Sequence, residues 1–310
     1  MNGEVALGTK VFKRTNQLEE LLDTVPEFVT EVIVADDGEK TEKKKSLYSD
    51  NYKFELTVID LEYDAGLGYG RKKIAQNLEK DYILIVDTDH RIPHNIDIII
   101  QQLETQPSIG GIAGSIIEPD HGRVWQNAAD LYEKNNDLIL DRENKKVEYV
   151  ADSPLILFDF IPNAAIFRKE CLSDYCWDPN YVIEREHIDF YTGHWKKTDW
   201  EFAICPEVLF PHFPGGSDEY LNDRFNQKKR AESTIYFLKK WGYNQFIRRS
   251  GYWYDTGQKN QIEQNSVRQL IQNLYYGYYI EKEIHGRATT IRRGLHSSPN
   301  ILYNLVRSLL

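Results

Sequence analysis

Short apolar runs without polar alternation recur through the first two thirds of the chain. Such runs are typical of strands that are buried on both faces of a parallel sheet. They predict strands at residues 4–9, 31–35, 54–61, 81–86 and 110–117. Between them, apolar residues recur every three to four positions, as on a helix that packs one face against a sheet. This alternation predicts βαβ units and an α/β fold built on a mostly parallel sheet.

The later part of the chain has less regular patterns. Residues 127–140 have the spacing of a helix, residues 202–210 that of a strand pair or one bent strand, and residues 222–241 that of a helix rich in basic side chains. Clusters of tyrosine and tryptophan follow. We therefore expect a sheet domain over residues 1–220, with a helical, aromatic-rich C-terminal extension at residues 221–310 packed on it.

The composition is that of a globular protein with a substantial core. The chain has 310 residues, of which 41% are hydrophobic, and a formal net charge of −10. This charge argues against a general nucleic-acid binder but allows a local basic site for a phosphorylated ligand. The three cysteines form no Cys-x-x-Cys pattern, which favours a reducing compartment.

The apolar segments of the sequence bear on the cellular location of the protein. The N-terminus has no signal-peptide core, and no apolar run approaches the roughly 20 residues of a membrane span. We therefore expect a cytoplasmic protein. Residues 301–310 are amphipathic and could contact a membrane surface peripherally, contact a partner subunit, or pack on their own domain.

Two carboxylates follow the predicted strand at residues 81–86. Asp87 and Asp89 point to the same side if the backbone stays extended, and ligands of open α/β sheets bind at the carboxyl ends of strands. Neither has an adjacent cation, so a divalent ion would relieve their repulsion, and hard oxygen ligands suit Mg²⁺ or Mn²⁺. A solvated acidic turn is the plainer alternative.

A glycine-rich segment favours an anion. Residues 66–70 contain three glycines and precede a helix that begins with Arg71 and Lys72. Glycines such as Gly68 let the backbone approach a ligand, and a helix N-terminus donates N–H groups. The alternative is a flexible turn before an exposed basic helix. The lysines of residues 40–46 are typical of a solvated face.

Candidate proton-transfer and metal residues occur further along. Glu186 and Asp189 lie three residues apart and share a face of a predicted helix. Either could act as a general base, although acidic residues are also common at helix starts. His212 follows the strand pattern at residues 202–210 and could ligate a metal, although a lone histidine is more often structural.

The ordered set of motifs resembles the inverting nucleotide-sugar glycosyltransferases of the GT-A fold, family 2. The matching segments are Val-Ala-Asp36-Asp37-Gly38, residues 66–73, Ile-Val-Asp87-Thr-Asp89, Glu186-His187-Ile188-Asp189-Phe190 and His212. The likeness covers residues 4–213, and the stretch from Glu186 to His212 also resembles the animal β-1,4-N-acetylgalactosaminyltransferases. It implies a GT-A (Rossmann-like) fold with a mixed, mostly parallel sheet flanked by helices. Residues 1–220 would then be the nucleotide-sugar-binding and catalytic domain.

The resemblance implies a nucleotide site. Thr9, Asp36 and Asp37 match residues that hold the nucleoside through its base or ribose. Arg71, with the loop at Gly68, would lie near the base or the diphosphate. The donor would be a nucleotide sugar, with UDP the commonest nucleotide and GDP an alternative.

The resemblance also implies a metal site. Asp89 would bind Mn²⁺ or Mg²⁺ directly, Asp87 would contact ribose or a metal-bound water, and His212 would complete the site. Many relatives carry Glu-Asp at the base position, where this chain has Glu186-His187. The base therefore stays open between Asp189, which the motif favours, and Glu186.

The function implied is transfer of a sugar, with inversion, to a hydroxyl of a glycan, polysaccharide or lipid-linked acceptor. Two alternatives stay open. One is a nucleotidyltransferase of related fold, and the other is a non-catalytic glycan-binding protein on the same scaffold.

Overall fold

One mixed sheet connects most of the described strands. The structure is a computed structural model that describes residues 4–141, 145–248 and 253–254. The strands are β1 Val5–Val11, β2 Val29–Asp36, β3 Glu55–Asp60, β4 Tyr82–Ile85, β5 Ile109–Glu118, β6 Arg123–Trp125, β7 Asp130–Lys134, β8 Asp137–Asp141, β9 Glu148–Val150, β10 Ser153–Phe158, β11 Ala165–Arg168, β12 Glu201–Pro211, β13 Gln245–Arg248 and β14 Trp253–Tyr254. The helices are α1 Thr15–Leu22, α2 Glu42–Tyr48, α3 Leu67–Gln76, α4 Asp97–Thr105, α5 Lys169–Asp174, α6 Glu186–Lys197, α7 Asp218–Arg224 and α8 Gln227–Trp241.

The strand order places the candidate residues at one edge. The main sheet runs β3-β2-β1-β4-β11-β5-β12-β10-β9. Strands β3, β2, β1 and β4 are parallel; β11 is antiparallel to both β4 and β5, and β12 is parallel to β5. Strands β1, β2, β4, β5 and β12 therefore all end at the same edge, as the mostly parallel sheet predicted from sequence requires.

Helices cover both faces of this sheet. Along β1, Ala6 faces a core that includes Ile74 of α3 and Phe190 of α6, whereas Leu7 faces a core that includes Leu18 of α1. Both cores are fully buried at these positions. The predicted α/β class, with a mixed, mostly parallel sheet flanked by helices, is confirmed.

The prediction of a helix over residues 127–140 is wrong. This segment forms a hairpin of β7 and β8, and β13 pairs in parallel with β8. Asn135 and Asn136 form the turn with φ of 55° and 61°. Asparagine tolerates this left-handed region, and two such residues favour the tight turn that joins antiparallel strands. The turn residues therefore override the helical spacing.

Of two other segments, residues 202–210 match the single bent strand among the predicted alternatives, whereas residues 222–241 differ from the prediction. Residues 202–210 lie in one strand, β12, whose register against β5 shifts between Cys205 and Leu209. Residues 222–241 lie in two helices, because the side chain of Asn226 accepts the N–H of Lys229 and caps a new helix, α8.

The structure describes part of the predicted C-terminal extension. Helix α7 spans position 220, α8 contributes to the core through Phe237 and Leu238, and β13 and β14 are strands, so this part is not entirely helical. The amphipathic stretch at residues 301–310 lies outside the described residues. Among the described helices, none is long and apolar enough to cross a membrane.

Candidate functional site

A buried arginine joins two of the predicted carboxylates. Arg71, on α3, is 2% exposed. Its guanidinium nitrogens lie 2.8 Å from Asp87 Oδ1 and 2.8 Å from Glu186 Oε1. Burial raises the pKa of Asp87, but the charges of Arg71, His90 and Arg224 together outweigh burial, and the pKa falls to about 2. The end of β4, the second turn of α3 and the start of α6 therefore meet in one charged network.

Asp89 lies next to two stacked histidines. Its Oδ2 atom is 3.2 Å from His212 Nε2, and its Oδ1 atom is 3.6 Å from His90 Nδ1. The two imidazole rings stack with centroids 4.7 Å apart. The backbones of His90 and His212 form an antiparallel bridge, which holds the loop after β4 against the end of β12. The predicted pairing of Asp89 with His212 is therefore present, and His90 joins it.

This cluster fits a divalent transition metal. One ligand atom from each of Asp89, His90 and His212 lies within 4.8 Å of the others. Asp89 Oδ1 and His90 Nδ1 are buried and have no hydrogen-bond partner among the described residues. Such orphaned atoms are costly unless they bind a ligand, and a carboxylate with imidazoles is a common donor set for transition metals.

Glu118 orients His212. Its Oε1 atom lies 3.1 Å from His212 Nδ1, and its Oε2 atom accepts hydrogen bonds from Arg123. Although burial works against it, hydrogen bonds and charge from Asp89 and Glu118 raise the pKa of His212. The carboxylate on Nδ1 leaves Nε2 directed at Asp89, the usual arrangement around a metal-binding histidine.

The two aspartates after β2 have different partners. Asp36 is fully buried and accepts from Lys44 Nζ at 2.6 Å and from Tyr48 OH at 2.8 Å. Lys44 is 1% exposed, so the solvated face predicted for residues 40–46 is wrong at this position. Asp37 Oδ1 lies 2.7 Å from Lys10 Nζ, and Asp37 Oδ2 accepts the N–H of the glycine that precedes α3. Asp36 therefore stabilises the fold, whereas Asp37 faces the β1 end.

Thr9 lies on β1 beside β2. It is buried, and its hydroxyl has no hydrogen-bond partner within the described part of the chain. A cleft near this edge is lined by residues that include Lys10, Phe12, Tyr220 and Arg224. The predicted nucleoside residues Thr9 and Asp37 thus lie at the edge of the sheet that carries this cleft.

Helix α3 begins at Leu67, earlier than predicted, and the glycines in its first turn allow close packing. The N–H of Gly68 donates to the carbonyl of Tyr181 at 2.9 Å. A Cβ at Gly68 would lie 2.1 Å from the carbonyl oxygen of Asp178. The N–H of Gly68 is therefore not available for the anion contact predicted for it, because the segment before α6 already occupies the helix N-terminus.

Asp189 is enclosed by hydrogen-bond donors. It is fully buried. Its Oδ1 atom accepts from Trp241 Nε1 at 2.7 Å and from Tyr181 OH at 3.0 Å, and its Oδ2 atom accepts from Lys240 Nζ at 2.8 Å and, more weakly, from Tyr175 OH at 3.4 Å. Among the described residues, no hydrogen bond or ion pair links Asp189 to Arg71 or Asp87. We call Asp189 with these four donors the Asp189 cage.

Comparison with known families decides the class of the protein. Residues 9–175, more than half of the chain, match the model of the family described as glycosyl transferase family 2. The chain belongs to glycosyl transferase family 2. It is therefore a glycosyltransferase with a GT-A fold, as the sequence motifs predicted. No curated protein matches this family 2 glycosyltransferase.

Several solved structures share the fold at low identity. The mannosyltransferase PcManGT from Pyrobaculum calidifontis, in complex with GDP-Man and Mn²⁺, is 11% identical with a TM-score of 0.53, covering 100% of this chain and 81% of that one. S. aureus TarS 1-349 in complex with UDP-GlcNAc is 11% identical with a TM-score of 0.53, covering 92% and 82%. GalNAc-T7 with UDP, GalNAc and Mn²⁺ is 12% identical with a TM-score of 0.51, covering 78% and 55%. At this identity the likeness shows a common fold.

Three side chains of this family 2 glycosyltransferase's candidate site lie outside the sequence predictions. His90 directly follows Asp89 and had a visible signal, because histidine is a frequent metal ligand. Glu118 directly follows the strand predicted at residues 110–117. A carboxylate at this ligand edge was a weaker sequence signal of a site residue. Arg14, whose NH1 atom lies 2.5 Å from Asp89 Oδ2, had none.

Proposed function

We propose that this glycosyltransferase is a metal-dependent inverting enzyme that moves a sugar from a nucleoside-diphosphate sugar to a hydroxyl of a glycan, polysaccharide or lipid-linked acceptor. One observation carries the proposal. The metal-capable cluster of Asp89, His90 and His212 adjoins the pair of carboxylates held by Arg71, at the carboxyl ends of the strands. The nucleotide-sugar and Mn²⁺ complexes of structures with this fold support the donor class.

The metal would be held by Asp89, His90 and His212. When bound, it supplies a Lewis acid that stabilises the charge of the departing nucleoside diphosphate. Two imidazoles beside one carboxylate favour Mn²⁺ over Mg²⁺, which prefers an all-oxygen octahedral shell. Asp87, kept ionised by Arg71, would contact the donor ribose or a metal-bound water.

Glu186 is the better candidate for the base. Its Oε1 atom pairs with Arg71, and in the described part of the chain its Oε2 atom has no hydrogen-bond partner. Arg71 therefore orients the carboxylate and leaves one oxygen for an acceptor hydroxyl. Both carboxylates are buried, but Asp189 accepts from four donors, so it has no such oxygen. The base would take the hydroxyl proton as the acceptor oxygen attacks the anomeric carbon from the face opposite the diphosphate, and this inverts the configuration.

The donor nucleoside would lie at the ends of β1 and β2. Both side chains are buried there: Asp37 pairs with Lys10, and the Thr9 hydroxyl has no hydrogen-bond partner among the described residues. Asp36 would act indirectly, by fixing the loop through Lys44 and Tyr48. Arg71 would act by holding Asp87 and Glu186. We propose a UDP-sugar as donor, with a GDP-sugar as the alternative.

Product analysis tests the proposal. The protein is incubated with Mn²⁺ and a panel of UDP- and GDP-sugars together with candidate acceptors. Release of a nucleoside diphosphate, absent in Asp89→Asn, is expected, and proton NMR of the product should show the inverted anomer. In a parallel incubation with nucleoside triphosphates and a sugar phosphate, release of pyrophosphate would instead support nucleotidyl transfer. Glycan binding with no release would support the non-catalytic alternative.

A further inference from the structure

Arg14, a cationic side chain of the protein itself, forms an ion pair with Asp89, the carboxylate of the candidate metal site. Arg14, in the loop between β1 and α1, is 8% exposed. Its NH1 atom lies 2.5 Å from Asp89 Oδ2, the oxygen that also faces His212 Nε2. On its other side, the guanidinium stacks on the ring of Tyr220 in α7 at 4.1 Å. Arg14 is therefore held between Asp89 and α7.

A divalent ion and Arg14 would compete for the negative charge of the Asp89 carboxylate. Arginine stays protonated at any physiological pH, so it cannot make way by losing a proton. A second cation beside it, in a buried site where screening is weak, meets strong repulsion. The ion would bind readily only if Arg14 moved to another anion.

The donor offers that anion. Arginine pairs well with phosphate oxygens, and the negative charges of a diphosphate offset the positive charges of the ion. Cation and diphosphate together thus restore the resting charge of the site, whereas either one alone shifts it strongly.

We propose that Arg14 is the resting counter-ion of Asp89 and transfers to the donor diphosphate when the metal binds. The divalent ion and the nucleoside diphosphate then bind cooperatively, because each removes the penalty that the other would meet alone. The cooperative half of this inference rests on the proposed function. The competition at Asp89 depends on the protein and the ion alone.

Calorimetry with Mn²⁺ tests the competition. In Arg14→Gln, Mn²⁺ alone should bind about tenfold more tightly than in the wild type, a typical size for coupling between sites. Arg14→Lys keeps the charge and should stay near the wild type. Lys13→Gln is the matched control, since Lys13 pairs with Glu219 and Asp223 of α7 and not with Asp89. Circular dichroism confirms that each variant is folded.

A second titration tests the transfer. Mn²⁺ is titrated with UDP or GDP present. The nucleotide should tighten Mn²⁺ binding strongly in the wild type and much less in Arg14→Gln, and Mn²⁺ should tighten the nucleotide by the same factor.

The outcomes are distinguishable. Equal Mn²⁺ affinity in wild type and Arg14→Gln, or no Mn²⁺ binding in either, would overturn the inference, and equal affinity would mean that the ion uses Asp89 Oδ1 while Arg14 stays on Oδ2. If Mn²⁺ tightens in Arg14→Gln but neither nucleotide binds any variant, the counter-ion assignment stands and the proposed donor class fails.

Discussion

Glu186 and Asp189 lie three residues apart at the start of one helix, yet their carboxylates have opposite surroundings. Among the described residues, Glu186 pairs with Arg71 alone, and it lies beside Asp87 at the ligand edge of the sheet. Asp189, one turn later, accepts from four donors in the Asp189 cage. Two of these donors, Lys240 and Trp241, come from α8, which is far away in sequence. The chemistry open to a carboxylate therefore depends on what distant segments bring to it, not on its helix position alone.

Replacing Glu186, the carboxylate with fewer partners, should have the largest effect on the reaction rate. In Glu186→Gln, kcat should fall by roughly 10² to 10⁴, the usual contribution of a general base. Thermal stability should fall moderately, because the amide can still accept from Arg71 but this buried guanidinium loses one of its two ionised carboxylates. Binding of Mn²⁺ with nucleotide should change little. Steady-state kinetics beside calorimetry separates these quantities. A variant with the wild-type rate would exclude Glu186 as the base.

Replacing the enclosed carboxylate should mainly affect stability. Asp189→Asn leaves the ammonium of Lys240 without one of its two carboxylates and mismatches the amide with donors, so unfolding free energy should fall by about 3 kcal/mol. Urea unfolding measures this, and the rate per folded molecule should stay near that of the wild type. Trp241→Phe, which removes one donor, should cost only about 1 kcal/mol. Normal stability with a hundredfold slower reaction would instead make Asp189 the base, as the motif favours.

Removing the partner of His212 should have a smaller effect on the metal. Glu118→Gln weakens the hydrogen bond to His212 Nδ1, and Mn²⁺ affinity should fall by roughly 10- to 100-fold, as for other carboxylates that hydrogen-bond a metal-binding histidine. Titration calorimetry in the presence of nucleotide measures this Mn²⁺ affinity. Asp120→Asn changes an exposed neighbouring carboxylate and should leave the affinity unchanged. Unchanged affinity in both variants would remove Glu118 from the site.

The sequence predicted well the features that depend on interactions between residues close in the chain, and poorly those that depend on distant residues. Strands and βαβ order depend on local periodicity, and the prediction succeeded for β1 to β5. The hairpin at β7 and β8 was missed because two turn asparagines outweighed the spacing of the apolar residues. Asp87, Asp89 and His212 were visible because strand ends mark a ligand edge.

Long-range pairing was not visible. Nothing in the spacing of Arg14 connects it to Asp89, 75 residues away. Likewise, the glycines around the start of α3 suggested an anion, whereas Gly68 packs against the segment that precedes α6. Side chains that meet only after the sheet has formed leave no periodic signal, and they include both the Arg14 contact and the Asp189 cage.

His187, between the two carboxylates of the comparison, should show the smallest effect, as a pH dependence of stability. Its Nε2 atom lies 2.8 Å from the carbonyl oxygen of Ile161, and burial, with Arg71 nearby, lowers the pKa of His187 to about 3. Since the unfolded value is near 6.5, its contribution is complete above pH 6.5 and is lost as the pH falls toward 3. Between pH 6.5 and 5.5 the wild type should lose about 1 kcal/mol more unfolding free energy than His187→Gln. Urea unfolding at both pH values measures the difference, and equal losses in the two proteins would show that His187 is not buried in its neutral form.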